Sequence, residues 1–176
     1  MKTTAVTPVV IGLLAHGPRS GYDIKAAVDR STRFFWAASY GQIYPELRRL
    51  EREGLVEGEQ APRGGRDRRV YKLTPAGREA LIEWLLGESV TIELRDESLL
   101  RLFFADALPH EQALLLLEGR KRGHEEYLEI LRAIDALPGA DPTFVDLVLR
   151  WGIEFNELGA RWCEEQLERL RAQKAA

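Results

Sequence analysis

Apolar residues between positions 39 and 54 recur at the spacing of a short amphipathic helix. They follow the i, i+4, i+7 rule and form one stripe, made of Ile43, Leu47 and Leu50. Ser39 and Gln42 have the spacing of a capping box at the start of this helix, and Gly54 supplies its stop. The pattern therefore predicts a helix with one buried face and one face available for binding.

The opposite side of this helix combines polar and aromatic residues near its N-terminal end with arginines farther along. A DNA recognition helix needs this arrangement, because its N-terminal residues reach base edges and its arginines meet phosphates. The candidate DNA-contacting residues here are Ser39, Tyr40, Gly41, Gln42, Tyr44, Pro45, Arg48 and Arg49. An ordinary solvated helix is the alternative, since Glu46, Glu51 and Glu53 dilute the positive charge. Gln42 is a candidate both for capping and for reading adenine, and one side chain is not expected to do both well.

Two shorter helices are predicted before this one. Thr7-Pro8 combines a cap with a proline at the first helical position, and Gly17-Pro18 ends the first helix. Ser20 begins the second helix, which runs to about Arg33 and has as candidate core residues Tyr22, Ile24 and Val28. Ser20 and Tyr22 are also candidate DNA contacts. We interpret the aromatic cluster Phe34-Phe35-Trp36 as core, with a ligand-binding wall as the alternative.

A β-hairpin and a fourth helix complete the N-terminal pattern. Residues 55–59 and 68–73 are typical of strands on either side of a turn at Gly64-Gly65. Three candidate DNA-contacting arginines belong to this hairpin, namely Arg63, Arg66 and Arg68. Thr74-Pro75 starts the fourth helix, which runs to about Leu86 with expected inward residues Ala80, Leu81, Trp84 and Leu85. These elements describe a winged helix-turn-helix, whose wing arginines would meet phosphates or the minor groove.

The second half of the chain is expected to be helical. Helices should start at Asp96, run from Leu108-Pro109 to about Leu137, and run from Asp141-Pro142 to about Arg171. The last helix carries an apolar heptad seam, made of Phe144, Val148, Trp151, Phe155, Leu158 and Trp162. We interpret the seam as a dimerisation surface. Packing against the preceding helix of the same chain is the alternative, and both can hold in part.

The predicted fold class is therefore mainly α. It comprises a winged helix-turn-helix DNA-binding domain at residues 1–87 and a dimerisation domain of long antiparallel helices at residues 88–176. Charge divides in the same way: residues 1–86 hold 14 Lys and Arg against 10 Asp and Glu, a balance of +4, and residues 87–176 hold 11 against 18, a balance of −7. This asymmetry suggests a basic contact module joined to an acidic helical one.

Several blocks of the first half resemble the PadR family of transcriptional regulators. They are Ile11-Gly12-Leu13-Leu14, Gly17-Pro18, Ser20-Gly21-Tyr22-Asp23-Ile24, Gly41-Gln42-Ile43-Tyr44-Pro45-Glu46-Leu47, Arg49-Leu50-Glu51, Gly54-Leu55-Val56, Arg68, Val70-Tyr71, Leu73-Thr74 and Gly77. The blocks cover most of residues 9–80, and the one around Tyr44-Pro45 is fairly specific. The resemblance implies a homodimeric repressor, often relieved by a small molecule or a stress signal.

Four aromatic residues are candidates for binding a small aromatic or hydrophobic effector, namely Trp36, Phe103, Trp151 and Phe155. They would line a cleft between the two domains or between protomers, and plain core packing is the alternative.

The sequence offers no constellation for catalysis or metal binding, and we expect no cofactor. His16, His110 and His124 have no partner at the spacing of a metal site or a catalytic triad. The single cysteine, Cys163, excludes an internal disulfide framework and fits a reducing cytoplasm best. No apolar run approaches the roughly 18 residues of a membrane span. We expect double-stranded DNA and a second copy of the chain as partners; a winged-helix adaptor that binds protein instead of DNA is the alternative.

Overall fold

Residues 3–61, 68–88, 95–136 and 143–175 are described by a computed structural model, in which helices dominate. The expected mainly α architecture is confirmed. The chain divides into two units, Met1–Thr91 and Ile92–Ala176, and each is considered by itself. Among the described residues, no helix is both long and apolar enough to cross a membrane.

Some sequence predictions lie outside the described residues. They concern the turn at Gly64-Gly65, the neighbouring Arg63 and Arg66, and the cap expected at Asp141-Pro142.

The N-terminal unit is built from the helices α1 (Thr7–Ala15), α2 (Gly21–Arg30), α3 (Tyr40–Arg52) and α4 (Pro75–Leu85). Their apolar faces share one core, whose buried members include Val10, Ile11, Leu14, Ile24, Val28, Ile43, Leu47, Leu50, Val56, Tyr71 and Leu81. Burial of each large aliphatic side chain stabilises the unit by roughly 2 kcal/mol. The three stripe residues predicted for α3 all belong to this core.

A three-stranded antiparallel sheet closes the N-terminal unit. It consists of β1 (Arg19–Ser20), β2 (Val56–Ala61) and β3 (Arg68–Leu73), in the order β1-β3-β2. The predicted hairpin of β2 and β3 is present, with Val56 opposite Leu73. Sequence reasoning missed β1, because two residues are too few to show an alternating pattern.

The helix starts follow from local chemistry. Ser20 caps α2 as predicted: its backbone N–H donates to Asp23 Oδ2 at 2.9 Å, and its hydroxyl oxygen accepts from the Asp23 N–H at 3.3 Å. The prediction for α1 was wrong by one residue. Val6 takes the cap position, and Thr7 lies inside the first turn, fully buried.

The C-terminal unit contains α5 (Glu97–Phe103), α6 (His110–Asp135) and α7 (Phe144–Ala175). The two long helices run antiparallel, because residues farther along α6 meet residues closer to the start of α7. Glu118 pairs with Arg171, and Arg132 pairs with Glu157. Asp96 caps α5 and ties it to α6 through an ion pair with Arg120 at 2.7 Å. Burial opposes ionisation of Asp96, but hydrogen bonds from Ser98 and Arg120 outweigh it and lower its pKa to about 2.

A partly buried polar contact joins α6 and α7 near their middle. Asn156 donates from Nδ2 to the Gly152 carbonyl at 2.8 Å, so its Oδ1 faces His124 Nδ1 at 2.9 Å and accepts the proton there. The imidazole lies against Gly159, where an added Cβ would come within 2.5 Å of the ring. His124 is thus a packing residue, held between two positions one helical turn apart on α7.

Several residues expected in the core are exposed. Tyr22 is 63% exposed, Phe35 62% and Leu85 63%, and Trp36 and Trp84 are also open to solvent. The core predictions for these five residues were wrong. Helical spacing or aromatic clustering marks these residues as candidates for burial, but neither shows whether a neighbouring element covers them.

Candidate nucleic-acid interface

The start of α3 is fixed by Ser39 and Gln42, as the capping-box spacing predicts. Gln42 Oε1 accepts two hydrogen bonds from Ser39, one from its backbone N–H and one from its hydroxyl, both at 3.0 Å. The backbone N–H groups of Gln42 and Ile43 donate in turn to the Ser39 carbonyl. The first turn of α3 is therefore ordered by its own sequence, while both capping side chains remain exposed.

The buried side of α3 carries a charged cluster that sequence reasoning placed on the surface. Glu46 is only 5% exposed, and it accepts hydrogen bonds from Arg49 at 2.6 and 3.0 Å and from the hydroxyl of Thr7 on α1. Arg49 also pairs with Glu53 at 2.7 Å. Burial opposes ionisation of Glu46, but the bonds from Arg49 and Thr7 outweigh it and hold its pKa below the usual range. The cluster joins α3 to α1.

This cluster corrects two sequence interpretations. Glu46 does not dilute the charge of the outer face, because its carboxylate is buried and neutralised. Arg49 does not extend toward a partner, because its guanidinium is already held by Glu46, Glu53 and Thr7. The neighbouring Arg48 is exposed, and no ion pair holds it within the described part of the chain.

The outer face of α3 presents aromatic, polar and basic groups together. Gly41, Gln42, Pro45 and Arg48 are exposed, as expected for this face. Tyr40 and Tyr44 stack with ring centroids 6.1 Å apart and are 45% and 40% exposed. The N-terminal end of this surface thus consists of hydrogen-bonding and aromatic groups, and the exposed guanidinium of Arg48 follows one turn later.

Residues of α2 border this surface. An added Cβ at Gly21 would lie 2.6 Å from the Tyr44 ring, so the glycine allows α2 and α3 to pack closely. The Lys25 ammonium lies 5.6 Å from the centroid of the Tyr40 ring. Tyr22 is exposed, which suits a contact with a partner, whereas Ser20 is buried and serves the cap of α2.

The base of the wing is attached to the C-terminal end of α3. Glu51 Oε1 accepts from the Gly58 N–H at 3.1 Å and from Arg69 Nη2 at 2.5 Å. An added Cβ at Gly58 would lie 2.6 Å from both side chains, so only glycine fits here without displacement. Arg69 is consequently a structural residue. The backbone of Arg68 pairs with that of Ala61 at the last described rung of the hairpin.

In the C-terminal unit, α7 carries two neighbouring stripes. One packs on α6 and includes Gly152, Asn156, Gly159, Cys163 and Leu167. The other, shifted by one residue, is the predicted heptad seam, and all six of its members are exposed, with Phe144 at 87% and Trp151 at 69%. Most of the intrachain packing therefore uses a different face of α7 from the seam, and the two meet at Phe155, whose ring centroid lies 6.0 Å from that of His124 on α6. We name the seam the aromatic stripe. Its exposure makes it an interface candidate.

The four effector candidates divide between the two units. Trp36 belongs to the N-terminal unit, where its indole N–H donates to the Ala5 carbonyl at 2.6 Å. Phe103 is 79% exposed on the C-terminal unit, and Trp151 stacks on Phe155 with centroids 6.4 Å apart. All four expose aromatic surface, while Trp36 and Phe155 are also partly packed within their own units.

Each of the two units matches a known protein-family model. The model of the transcriptional regulator PadR-like family matches residues 10–83, and the model named virulence activator alpha C-term matches residues 94–171. The negative transcriptional regulator PadR of Bacillus subtilis is 28% identical over 169 residues, which cover 90% of this chain and 93% of the relative.

Two solved structures extend this likeness to three dimensions. Bacillus subtilis PadR in complex with operator DNA superposes with a TM-score of 0.83 at 26% identity, covering 95% of this chain and 99% of that one. The same protein in complex with p-coumaric acid superposes with a TM-score of 0.78 at 26% identity, covering 96% and 99%.

The neighbouring arginines of α3 should respond to substitution in opposite ways. Arg49→Met should lower the free energy of unfolding by about 3 kcal/mol, because the buried Glu46 carboxylate would lose its partner. Arg48→Met removes the same charge from an exposed position and should change stability by less than about 0.5 kcal/mol. Urea unfolding followed by circular dichroism measures both. Equal and small decreases in the free energy of unfolding of the two variants would contradict the buried ion pair.

Proposed function

The chain belongs to the PadR-like family of transcriptional regulators, and we propose that it is a homodimeric repressor of a pseudo-palindromic operator. The observation that carries this proposal is the outer face of α3. That face is held by a buried stripe and a buried ion pair, yet its own side chains are exposed. The two recognition helices of a dimer would enter successive major grooves, roughly 34 Å apart.

The proposed DNA contacts follow the exposed groups. Those at and beside α3 are Tyr22, Ser39, Tyr40, Gly41, Gln42, Tyr44, Pro45 and Arg48. The wing contributes Arg63, Arg66 and Arg68, which the sequence places in the hairpin. Ser20 supports these contacts by starting α2, and Arg49 supports them by orienting α3.

DNA binding should be tight and steeply dependent on salt. If each protomer neutralises about four phosphates, the plot of log affinity against log salt should have a slope near −7. Arg48→Met should reduce this slope by about 2, since one contact is lost on each half-site. The measurement is a salt titration with the DNA upstream of the gene that encodes this chain, with Arg101→Met in the C-terminal unit as the matched charge control.

A slope shallower than about −2 would contradict two-fold binding through the recognition helices. An absence of binding at low salt, in protein that has been unfolded and refolded to remove any trapped small molecule, would favour the adaptor alternative.

Dimerisation is proposed to occur through the aromatic stripe. A second copy of the chain fits this surface because the stripe has the heptad spacing of a helix–helix interface. Burying its large side chains would stabilise the pair by roughly 2 kcal/mol each. The intrachain partner α6 packs mainly on the adjacent face and reaches the stripe at Phe155, whose ring lies edge-on to His124.

A charge placed in the aromatic stripe should break the dimer. Leu158→Asp would bury a carboxylate against apolar side chains of the partner, which costs several kcal/mol. Leu115→Asp is the matched control, since Leu115 is an equally exposed leucine on α6 outside the stripe. Sedimentation equilibrium should report a dimer for the parent chain and for Leu115→Asp, and a monomer for Leu158→Asp. A monomeric parent chain would contradict the proposal.

Repression is proposed to be relieved by a small aromatic or hydrophobic effector. The support is the exposure of four aromatic candidates and the p-coumaric acid complex of the Bacillus subtilis relative. Such a ligand would favour a dimer whose recognition helices no longer match the spacing of the grooves.

Effector binding should be visible in tryptophan fluorescence. Titration with p-coumaric acid should quench the emission with a defined midpoint, and Trp151→Phe should remove much of this signal. Trp84→Phe is the control, because Trp84 is exposed but is not an effector candidate. Linear quenching without saturation would leave all four aromatic residues without a ligand-binding role.

A further inference from the structure

The cap of α3 occupies the acceptor oxygen of the Gln42 side chain, so this side chain can offer a partner only hydrogen-bond donors. Its Oε1 accepts from both the backbone N–H and the hydroxyl of Ser39, each at 3.0 Å. A carbonyl oxygen has two lone pairs, so both acceptor positions of the amide are occupied. The orientation of the amide is fixed by chemistry as well, because a backbone N–H can only donate and must therefore face the oxygen. Within the described part of the chain no hydrogen bond engages Nε2, so its two N–H groups are available to another molecule.

The same turn of α3 is shaped for close approach by a partner. An added Cβ at Gly41 would meet nothing nearer than Ser39 Oγ at 3.8 Å, and its backbone is ordinary helix. The fold thus leaves room for a side chain at a position where glycine costs a helix about 1 kcal/mol relative to alanine. A missing side chain that internal packing does not require indicates that another molecule's surface comes close here. Gln42 is the next residue and is exposed.

We infer that Gln42 reads guanine in the major groove and discriminates against adenine. This inference rests on the proposed DNA-binding function. Guanine presents two acceptors there, N7 and O6, which match the two donors of Nε2. The familiar pairing of glutamine with adenine needs the amide oxygen to accept from the adenine N6 amino group. In this chain that oxygen is occupied, and the Nε2 donors would face the N6 donors.

Reading adenine would also require the cap to open. Gln42 would have to release at least one of its two Ser39 donors, and the first turn of α3 would lose a bond that orders it. The free helix and the guanine-bound helix can keep the same side-chain conformation, whereas the adenine-bound helix cannot. The cap therefore acts as a specificity element, with Ser39 as a positioning residue and Gln42 as the reading residue.

The test begins with selection of binding sites from a randomised duplex library by the full-length chain and by three variants. In the parent chain, guanine should be enriched at one position of each half-site, and adenine there should weaken binding on the order of tenfold. Gln42→Met keeps the length of the side chain without its donors and should lose the preference at that position alone. Replacing the guanine with 7-deazaguanine should weaken binding by the parent chain but not by Gln42→Met.

Two further variants separate capping from reading. Gln42→Glu keeps acceptors for the cap but has no donor, so the preferred base at the same position should change to cytosine. Ser39→Ala returns one lone pair to Gln42 and should narrow the discrimination between guanine and adenine. Thermal unfolding of each variant shows whether a loss of DNA binding comes from destabilisation of the start of α3.

Adenine at the Gln42-dependent position of the parent chain would overturn the inference, and so would a site preference that Gln42→Met leaves unchanged. Failure of the parent chain to select any sequence would be a failure of the proposed function instead.

Discussion

The placement of α3 depends on one buried arrangement, namely an apolar stripe sealed at its edge by a buried ion pair. Ile43, Leu47 and Leu50 enter the core of the N-terminal unit, and Glu46 and Arg49 connect the same side of the helix to Thr7 on α1. Rotation of α3 about its axis would expose the stripe and break the hydrogen bonds that Glu46 and Arg49 make to Thr7. Because both penalties oppose the same motion, the outer face is presented at a fixed angle.

The sequence was informative wherever structure is decided locally. Capping spacing located the starts of α2 and α3, and heptad spacing identified the aromatic stripe before its exposure was known. Local rules are sufficient there because the interacting groups lie within one or two helical turns. The same rules named the residues that border the outer face of α3.

Features that depend on distant contacts could not be predicted. Nothing next to Glu46 in the sequence indicates that Thr7, thirty-nine positions away, will meet it, so a buried carboxylate was interpreted as a surface charge. Arg48 and Arg49 look equivalent by residue type, and only the packing of α1 against α3 separates them. The exposure of Phe35 and Trp36 could not be predicted either, because it also depends on which distant element covers them.

In the C-terminal unit, the two stripes of α7 differ in the size of their side chains. Where α7 meets α6, it uses glycines, Asn156 and Cys163, which allow the helices to approach closely. Its large rings lie on the neighbouring stripe, where Phe155 also packs edge-on against His124 of α6. Folding of one chain and the proposed pairing of two chains therefore use largely separate surfaces, so neither needs to be disrupted for the other to form.

This separation affects how the regulator would respond to its own abundance. If the chain pairs through the aromatic stripe as proposed, a folded chain with an open stripe would precede the pair, and only the pair would carry two recognition helices. At concentrations below the dimerisation constant, the amount of pair grows with the square of the amount of chain. Occupancy of an operator would then rise more steeply than the supply of protein, so a modest change in synthesis or degradation would switch a promoter over a narrow range.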